Sequence, residues 1–533
     1  MSEILIIEEY AVGLLLIAIF VGIIARRMRM PYTVGLVVVG TALAIFFEQL
    51  HVDLEPELIL GIFVPPLIFE AAFNLPITAL RRNLPPILIL ATAGVLITTF
   101  LVGGIVTLGA GIPLAYALVF GSIVAATDPV AVIALFKSLG VPKRLQVLLE
   151  GESLLNDGTA IVIFNIAVTA AVTSNFSIAE GIGQFILSSG VGLGIGLALG
   201  ILASLLISRI DDHLIETAIT FVLAYGAFLI AESIHVSGVL AVVAAGLANG
   251  NIGPKGMSPT TRIEVFNFWE FMSFIANSFV FLLIGLVTEI SLLLENWQAI
   301  LWGILAALVA RLIVTYGLLQ RFKSIPLRWK HVMYWGGLRG AISLALVLSL
   351  APKFDPEIST QLLAMVFGLV LFTLLVQGTS MSTMVKRLQI ISRRPDLEEY
   401  ETRRAIATST QASYDHLRKI HKDGLISKHV WEIITGVVAP YEKQLTKEMK
   451  DILKKHPEVE KEELDSAWRE FLHHQRLVIT EHLTDHAISE DTYAELVSQI
   501  DTALDQRNIN WDTPEDLNKV FKNGTDASDE AAA

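Results

Sequence analysis

The sequence predicts an all-α integral membrane fold: about thirteen transmembrane helices in an inverted repeat with crossed, unwound segments, followed by a soluble helical C-terminal tail. Three observations lead there. The composition is too apolar for water, basic residues keep to alternate connections, and helix breakers stand beside charges in mid-span.

Of the 533 residues, 53% are hydrophobic and 17% charged, whereas soluble chains keep about a quarter charged to solvate a surface. A surface facing lipid suits that balance. The net charge of -13 is unevenly placed. Residues 1–387 hold 20 Lys+Arg against 23 Asp+Glu, and residues 388–533 hold 19 against 29. This divides the chain into a membrane domain, 1–387, and an acidic cytoplasmic tail, 388–533, and gives no sign of a nucleic-acid partner. Without cysteine there is no disulfide framework, thiolate metal site or thiol chemistry. The apolar N-terminus lacks a basic n-region and a small-residue cleavage site, so it reads as a first span rather than a signal peptide.

Stretches long and apolar enough to cross fall at 10–26, 32–50, 56–78, 86–108, 112–137, 146–173, 184–208, 214–233, 236–250, 264–289, 296–320, 331–351 and 360–385. Every second connection is basic: Arg26, Arg27 and Arg29; Arg81 and Arg82; Lys137, Lys143 and Arg144; Arg209; Lys255 and Arg262; Arg321, Lys323, Arg328 and Lys330; Lys386 and Arg387. The alternate connections hold Lys353 alone. The positive-inside rule therefore puts the N-terminus outside and the C-terminus in the cytoplasm, and the motif set taken up below favours a cell (inner) membrane. With the seventh span as linker, spans one to six and eight to thirteen enter from opposite sides, the ground plan of many secondary transporters. Gly192, Gly196 and Gly200 form a small-residue ladder on the seventh span, suited to close helix packing or to a dimer contact.

Ionisable groups near the bilayer centre cost about 2.5–3.5 kcal/mol on insertion scales and demand a reason. Glu70, Asp128, Glu152, Asp157, Arg311 and Arg339 are such groups. In the fifth span Pro129 follows Thr127 and Asp128; it removes a backbone donor and favours an unwound point, freeing the Thr127 carbonyl to face a cation. In the sixth span, Gly151 to Gly158, Ser153 and Asp157 share one face and Glu152 and Asn156 another. A hydroxyl and a carboxylate on one face are hard oxygen ligands of the kind alkali cations prefer. In the twelfth span Gly336, Gly337 and Gly340 bracket Arg339, marking a second unwound segment where a fixed positive charge offsets buried carboxylates. Arg311 stays protonated and needs an anion, with Glu152 the first candidate. Glu70, after Pro65 and Pro66, has no evident partner in the sequence.

Taken in order, the run Ala126-Thr127-Asp128-Pro129, the segment Gly151 to Gly158 and Gly337-Leu338-Arg339-Gly340 resemble the NhaP branch of the sodium/proton antiporters, related to the animal NHE exchangers. Arg311 falls where that family carries a helix arginine. The resemblance covers about 10–385. It implies the thirteen-helix inverted repeat, a homodimer, and a core domain moving against a dimerisation domain. It also implies that Asp157 carries the exchanged cation or proton, helped by Asp128, Ser153, Glu70 and the Thr127 backbone, while Glu152 pairs with Arg311. Electrogenic relatives place a second aspartate where this chain has Asn156. A single carboxylate neutralised by either Na⁺ or H⁺ then implies electroneutral one-for-one exchange, with Li⁺ as a further substrate and a role in sodium and pH homeostasis.

Such a carrier is no enzyme and needs no cofactor, and no phosphate-cradling glycine loop occurs. Potassium/proton exchange is the nearest alternative. A cation channel would use symmetric filters or charged rings, and an intramembrane aspartyl protease would share a proton between Asp128 and Asp157; charges gathered at two helix breaks favour neither. The tail reads as helical at about 396–421, 427–453, 458–484 and 489–506, with Arg393, Arg394 and Pro395 at its start and an unstructured end after about 518. Val430, Ile433, Ile434 and Val437 recur at helical spacing and suggest packing. His473, His474, His482 and His486 offer a pH sensor or metal site against the plainer reading of solvated surface. A regulatory partner of the tail stays open.

Overall fold

A computed structural model describes residues 3–28, 31–46, 59–173, 177–210, 212–351, 353–390, 395–485 and 487–505. Arg29, Arg393, Arg394, His486, the flanks of the second and third spans between 47 and 58, and the chain after 505 lie outside the described residues. Chain contacts divide the protein into two compact units, 1–392 and 393–533. The described residues are helical throughout both, with no strand.

In the first unit α1 is Glu3–Met28, α2 Tyr32–Phe46, α3 Val64–Asn74, α4 Ile77–Ala110, α5 Leu114–Ala125, α6 Val130–Leu139, α7 Lys143–Thr173 and α8 Ile178–Ile207. Then follow α9 His213–Ser233, α10 Gly238–Ile252, α11 Pro259–Val287, α12 Ile290–Glu295, α13 Trp297–Leu319, α14 Leu327–Trp335, α15 Ala341–Leu348 and α16 Pro356–Arg387. The described parts of the stretches expected to span fall largely on helix, and among the described residues seven helices are long and apolar enough to cross a membrane. Boundaries follow local chemistry. Prolines open the first turns of α3, α11 and α16, where a missing N–H costs nothing. Asp212 caps α9 by accepting from Leu214 and Ile215 N–H at 2.9 and 3.1 Å. Gly111 and Gly140 end α4 and α6 in the left-handed region, with φ of 74° and 69°.

The fifth and twelfth spans are each two half-helices. Non-helical chain at 126–129 separates α5 from α6, and non-helical chain at 337–340 separates α14 from α15. Both breaks coincide with the helix breakers that the sequence places beside Asp128 and Arg339.

Packing sorts the first unit into two bundles. Helices α1, α2, α3 and α8 to α11 pack on one another, and α4, α5, α7 and α13 to α16 form the other group with α6. Each bundle thus takes equivalent spans from the two halves: one to three with eight to ten, and four to six with eleven to thirteen. That is the inverted repeat expressed in packing. Helix α7 runs along the seam and touches α3, α8 and α10 across it.

The glycine ladder belongs to the first bundle's interior. A Cβ on Gly192 or Gly200 would meet the carbonyl oxygen of Ser237 or Ala245 at 2.7 or 2.8 Å, and one on Gly196 would land on that of Ala241. The ladder lets α8 lie against α10, so its role is intramolecular packing. Gly196→Val should therefore destabilise by about 1–3 kcal/mol, seen as a lower unfolding temperature in detergent; an unchanged temperature would remove the ladder from the packing account.

In the second unit α17 is Pro395–Lys422, α18 Lys428–Lys455, α19 Pro457–Thr484 and α20 Glu490–Asp505. Helix α17 packs on α18, where Trp431 stacks on His421 at 5.0 Å, and α19 packs on α20 around Leu472 and Ile500. Val430, Ile433 and Val437 are exposed rather than packed, because α18 turns its other side to α17. Among the described residues no three metal-ligating side chains gather. Tyr400 is buried and hydrogen-bonds Glu463, which also pairs with Arg404 at 2.9 Å. Burial, then the bond and charge of Glu463, push the Tyr400 hydroxyl from 10.0 up to about 12. The folded state thus holds this proton more tightly than the unfolded chain. Its contribution is complete below pH 10 and fades as pH rises towards 12. Tyr400→Phe should flatten that part of the tail's alkaline unfolding curve by circular dichroism; an unaltered curve would contradict it.

Candidate ion-binding site

The two breaks cross and are tied by their backbones. Asp128 N–H donates to the Leu338 carbonyl at 2.9 Å, and Leu338 N–H to Gly336 at 2.9 Å. Arg339 N–H is taken by Thr373 Oγ1 at 3.2 Å, in a π-helical turn, Thr373–Gly378, that widens α16 beside the crossing. Val130 N–H, the first of α6, donates to Asp128 Oδ1 at 2.9 Å, so the Asp128 carboxylate sits at the positive end of that half-helix. These bonds replace ladder bonds lost in the breaks, as non-helical backbone at membrane depth requires.

Around the crossing lies a cavity of about 70 Å³, a water's share of liquid being about 30 Å³. It is lined by Ala126 to Val130 from the first break, Gly340 to Ser343 from the second, Glu150, Ser153, Leu154 and Asp157 from α7, and an apolar wall of α3. The cavity thus lies on the seam, with its polar groups on one bundle and its apolar wall on the other. Thr127 is held from three sides: its carbonyl accepts from Ser153 Oγ, its Oγ1 accepts from Asn156 Nδ2 at 3.1 Å, and its backbone hydrogen-bonds the Asp157 carboxylate. The carbonyl expected to be free is therefore engaged by the Ser153 hydroxyl, whose oxygen keeps its lone pairs for a cation while it donates.

The sequence-derived residues separate into groups. Asp128, Asp157, Ser153 and Thr127 share the cavity. Asn156 is 2% exposed and stands behind the site, holding Thr127. Glu70 lies off the cavity lining and accepts from Asn74 at 2.7 Å. Arg311 forks onto Glu152, with NH2 to Oε2 at 3.1 Å, and also donates to the Met333 carbonyl at 2.9 Å. Arg339 is 3% exposed, donates to the Gly337 carbonyl at 2.6 Å, and its charge reaches Asp157 and Glu152. Two close approaches demand glycine. A Cβ on Gly337 would come within 2.9 Å of Arg311 Nε, and one on Gly340 within 2.7 Å of Asp128 Cβ. Gly340→Ala should cut transport at least about tenfold by displacing Asp128, at a stability cost of about 1–3 kcal/mol; wild-type transport would contradict the crowding.

Sequence reasoning missed Glu150, Thr373 and Ser343. Glu150 was open to discovery through helix phase, since residues 150, 153 and 157 share a face. Thr373 and Ser343, whose Oγ donates to the Ile123 carbonyl at 3.0 Å, carry no local signal. At the opposite end of α7 a second cavity is lined by one face of α7 between Ile161 and Thr173, and by Gln184, Glu232, His235 and Lys353.

Residues 15–387 match the model of a family described as sodium/hydrogen exchanger, transmembrane. The Na⁺/H⁺ antiporter ApNhaP of Aphanothece halophytica is 43% identical over 74% of this chain and 76% of its own. The Na⁺/H⁺ antiporter NhaG of Bacillus atrophaeus is 36% identical over 91% and 95%. Among solved structures, the sodium proton antiporter MjNhaP1 of Methanocaldococcus jannaschii at pH 8 shares the fold with a TM-score of 0.62, at 21% identity, over 73% of this chain and 99% of that one.

Proposed function

Since this chain belongs to the sodium/hydrogen exchanger family, we propose that it exchanges Na⁺ for H⁺ at a single carboxylate, Asp157, by alternating access. The protein is a multi-pass sodium/proton antiporter. One observation carries the placement: Asp157, Asp128, Ser153 and Thr127 converge on one cavity at the crossing of the two helix breaks. Asp157 takes Na⁺ or H⁺ in turn. Asp128 stays fixed at the α6 N-terminus, the oxygens of Ser153 and Thr127 complete a cation shell, and Asn156 orients Thr127. Glu152 and Arg311 neutralise each other, leaving Arg339 to offset the remaining carboxylates.

The seam supports the motion. Its two cavities lie towards opposite ends of α7, so a shift of one bundle past the other exchanges which end reaches Asp157. The sidedness read from the charges is supported by the ends of the spans. Arg144 donates to Asn83 Oδ1 at 2.9 Å and to Ser324 Oγ at 3.0 Å, drawing together connections expected to be cytoplasmic, while Lys353 and His235, from connections expected to be outside, share the second cavity with Glu232 at the end of the eighth span. A cell membrane, an external N-terminus, a homodimer and Li⁺ as a second substrate belong to the same reading.

Competition for one carboxylate fixes two outcomes. Activity against pH is bell-shaped, because protons fill the site at low pH and run short at high pH. Charge does not move. Voltage imposed on proteoliposomes should leave the Na⁺-driven proton flux unaltered and give no steady current; a voltage-driven current would refute one-for-one exchange. A flux answering K⁺ instead of Na⁺ would reassign the substrate and keep the mechanism.

A further inference from the structure

Three polar atoms buried beside the second break make no hydrogen bond to the described residues: Arg311 Nε, Arg339 Nε and Gln377 Oε1. Gln377 is 3% exposed and lies in the π-helical turn Thr373–Gly378 of α16. Two bonds fix how α16 runs past the break. Arg339 N–H meets Thr373 Oγ1 at 3.2 Å, and Trp335 Nε1–H donates to Ser380 Oγ at 2.8 Å. The two segments are therefore antiparallel, and Gln377 comes level with Gly337. Both guanidinium groups also close on Gly337. A Cβ there would lie 2.9 Å from Arg311 Nε and 3.2 Å from Arg339 NH1, and Arg339 NH1 donates to the Gly337 carbonyl at 2.6 Å. Two donors and one acceptor without protein partners thus share one level of the bundle.

Buried polar atoms are almost always paired, with protein or with ordered water. We propose that Gln377 is a positioning residue of the ion site, holding Arg339 through one buried water that takes both Nε–H groups and donates to Gln377 Oε1. The three bonds are the usual complement of a buried water. Arg311 is already fixed by Glu152 and the Met333 carbonyl. Arg339 has only carbonyls of its own break, Gly337 and, at 3.5 Å, Leu338. The water ties the less anchored guanidinium to the anchored one. So held, Arg339 offsets Asp157 through its field without pairing with it. A released guanidinium stays charged and bonds carboxylates strongly, so it competes with Na⁺ for Asp157. The inference rests on exchange at Asp157.

The test uses the full chain in proteoliposomes, with Na⁺-driven proton flux followed by an internal dye at the alkaline end of the activity profile, where protons compete least. Gln377→Leu removes the acceptor and should raise the KM for Na⁺ roughly three- to tenfold, as loss of a hydrogen bond to a charged group allows. Vmax should stay within about threefold of wild type, since the loss is in ion binding. Gln377→Glu keeps an acceptor and holds Arg339 more firmly, so KM should stay at or below the wild-type value. A density map of the wild type that resolves ordered waters should place one within about 3.2 Å of Gln377 Oε1 and of both Nε atoms. A Gln377→Leu KM equal to wild type overturns the proposal. So does a KM raised alike by Gln377→Glu, which marks a purely structural role, and so does a resolved map without that water. Wild type failing to exchange Na⁺ for H⁺ would sink the reading of Asp157 itself, an outcome distinct from all of these.

Discussion

Asp157→Asn should abolish Na⁺-driven proton movement, lowering it at least about 100-fold, in a protein that still folds. The amide keeps the shape and the bond to the Thr127 backbone but cannot alternate between a charge that holds Na⁺ and a neutral acid. Removing the charge from a buried ion site forfeits about 3 kcal/mol or more, and each 1.4 kcal/mol is tenfold in affinity. Asp128→Asn should act differently. Asp128 accepts from Val130 N–H at the start of α6, and the carbonyl oxygen of asparagine can accept the same bond, so the crossing persists while the cation shell weakens. Full exchange in Asp157→Asn would move the site to Asp128 and Glu70.

The second large effect concerns the Glu152–Arg311 pair, whose side chains are 2% and 9% exposed. Arg311→Met leaves a buried carboxylate unpaired and should destabilise by about 3–5 kcal/mol. Glu152→Gln should do likewise by leaving the guanidinium without its counter-charge. The double variant should lose much less than the two single losses combined, because neither charge remains. Arg311→Lys should fall between, since an ammonium cannot reproduce the fork onto Glu152 together with the bond to Met333. Unfolding temperatures in one detergent at one scan rate check this; additive single losses would show that the pair is not coupled. Because Met333 lies on α14 and Glu152 on α7, the pair also fixes one break relative to the helix that carries Asp157.

Much of this was legible in the sequence because charge and helix breakers are conspicuous against an apolar background. Asp128 beside Pro129, and Arg339 between glycines, announce broken helices without tertiary information. The pairing of Glu152 with Arg311 follows from the expense of leaving either alone in lipid. What escaped depends on which helices meet. Glu150 sits near a span end, where an acid looks ordinary, and only the fold places it in the cavity of Asp157. The Thr127 carbonyl was expected to be free, and its engagement by Ser153 depends on how α7 crosses the first break. The glycine ladder of α8 allows close contact but does not name its partner, which is α10. In the tail, the spacing of Val430, Ile433 and Val437 specified a helix face but not whether anything covers it.

The most direct test of exchange at one carboxylate is proton release on Na⁺ binding to the purified protein in weakly buffered detergent, read with a pH indicator at a pH where the site is protonated. The account predicts one proton released per Na⁺ bound, a release absent from Asp157→Asn and present in Glu150→Gln. Na⁺ binding without release, two protons per ion, or undiminished release from Asp157→Asn would contradict it.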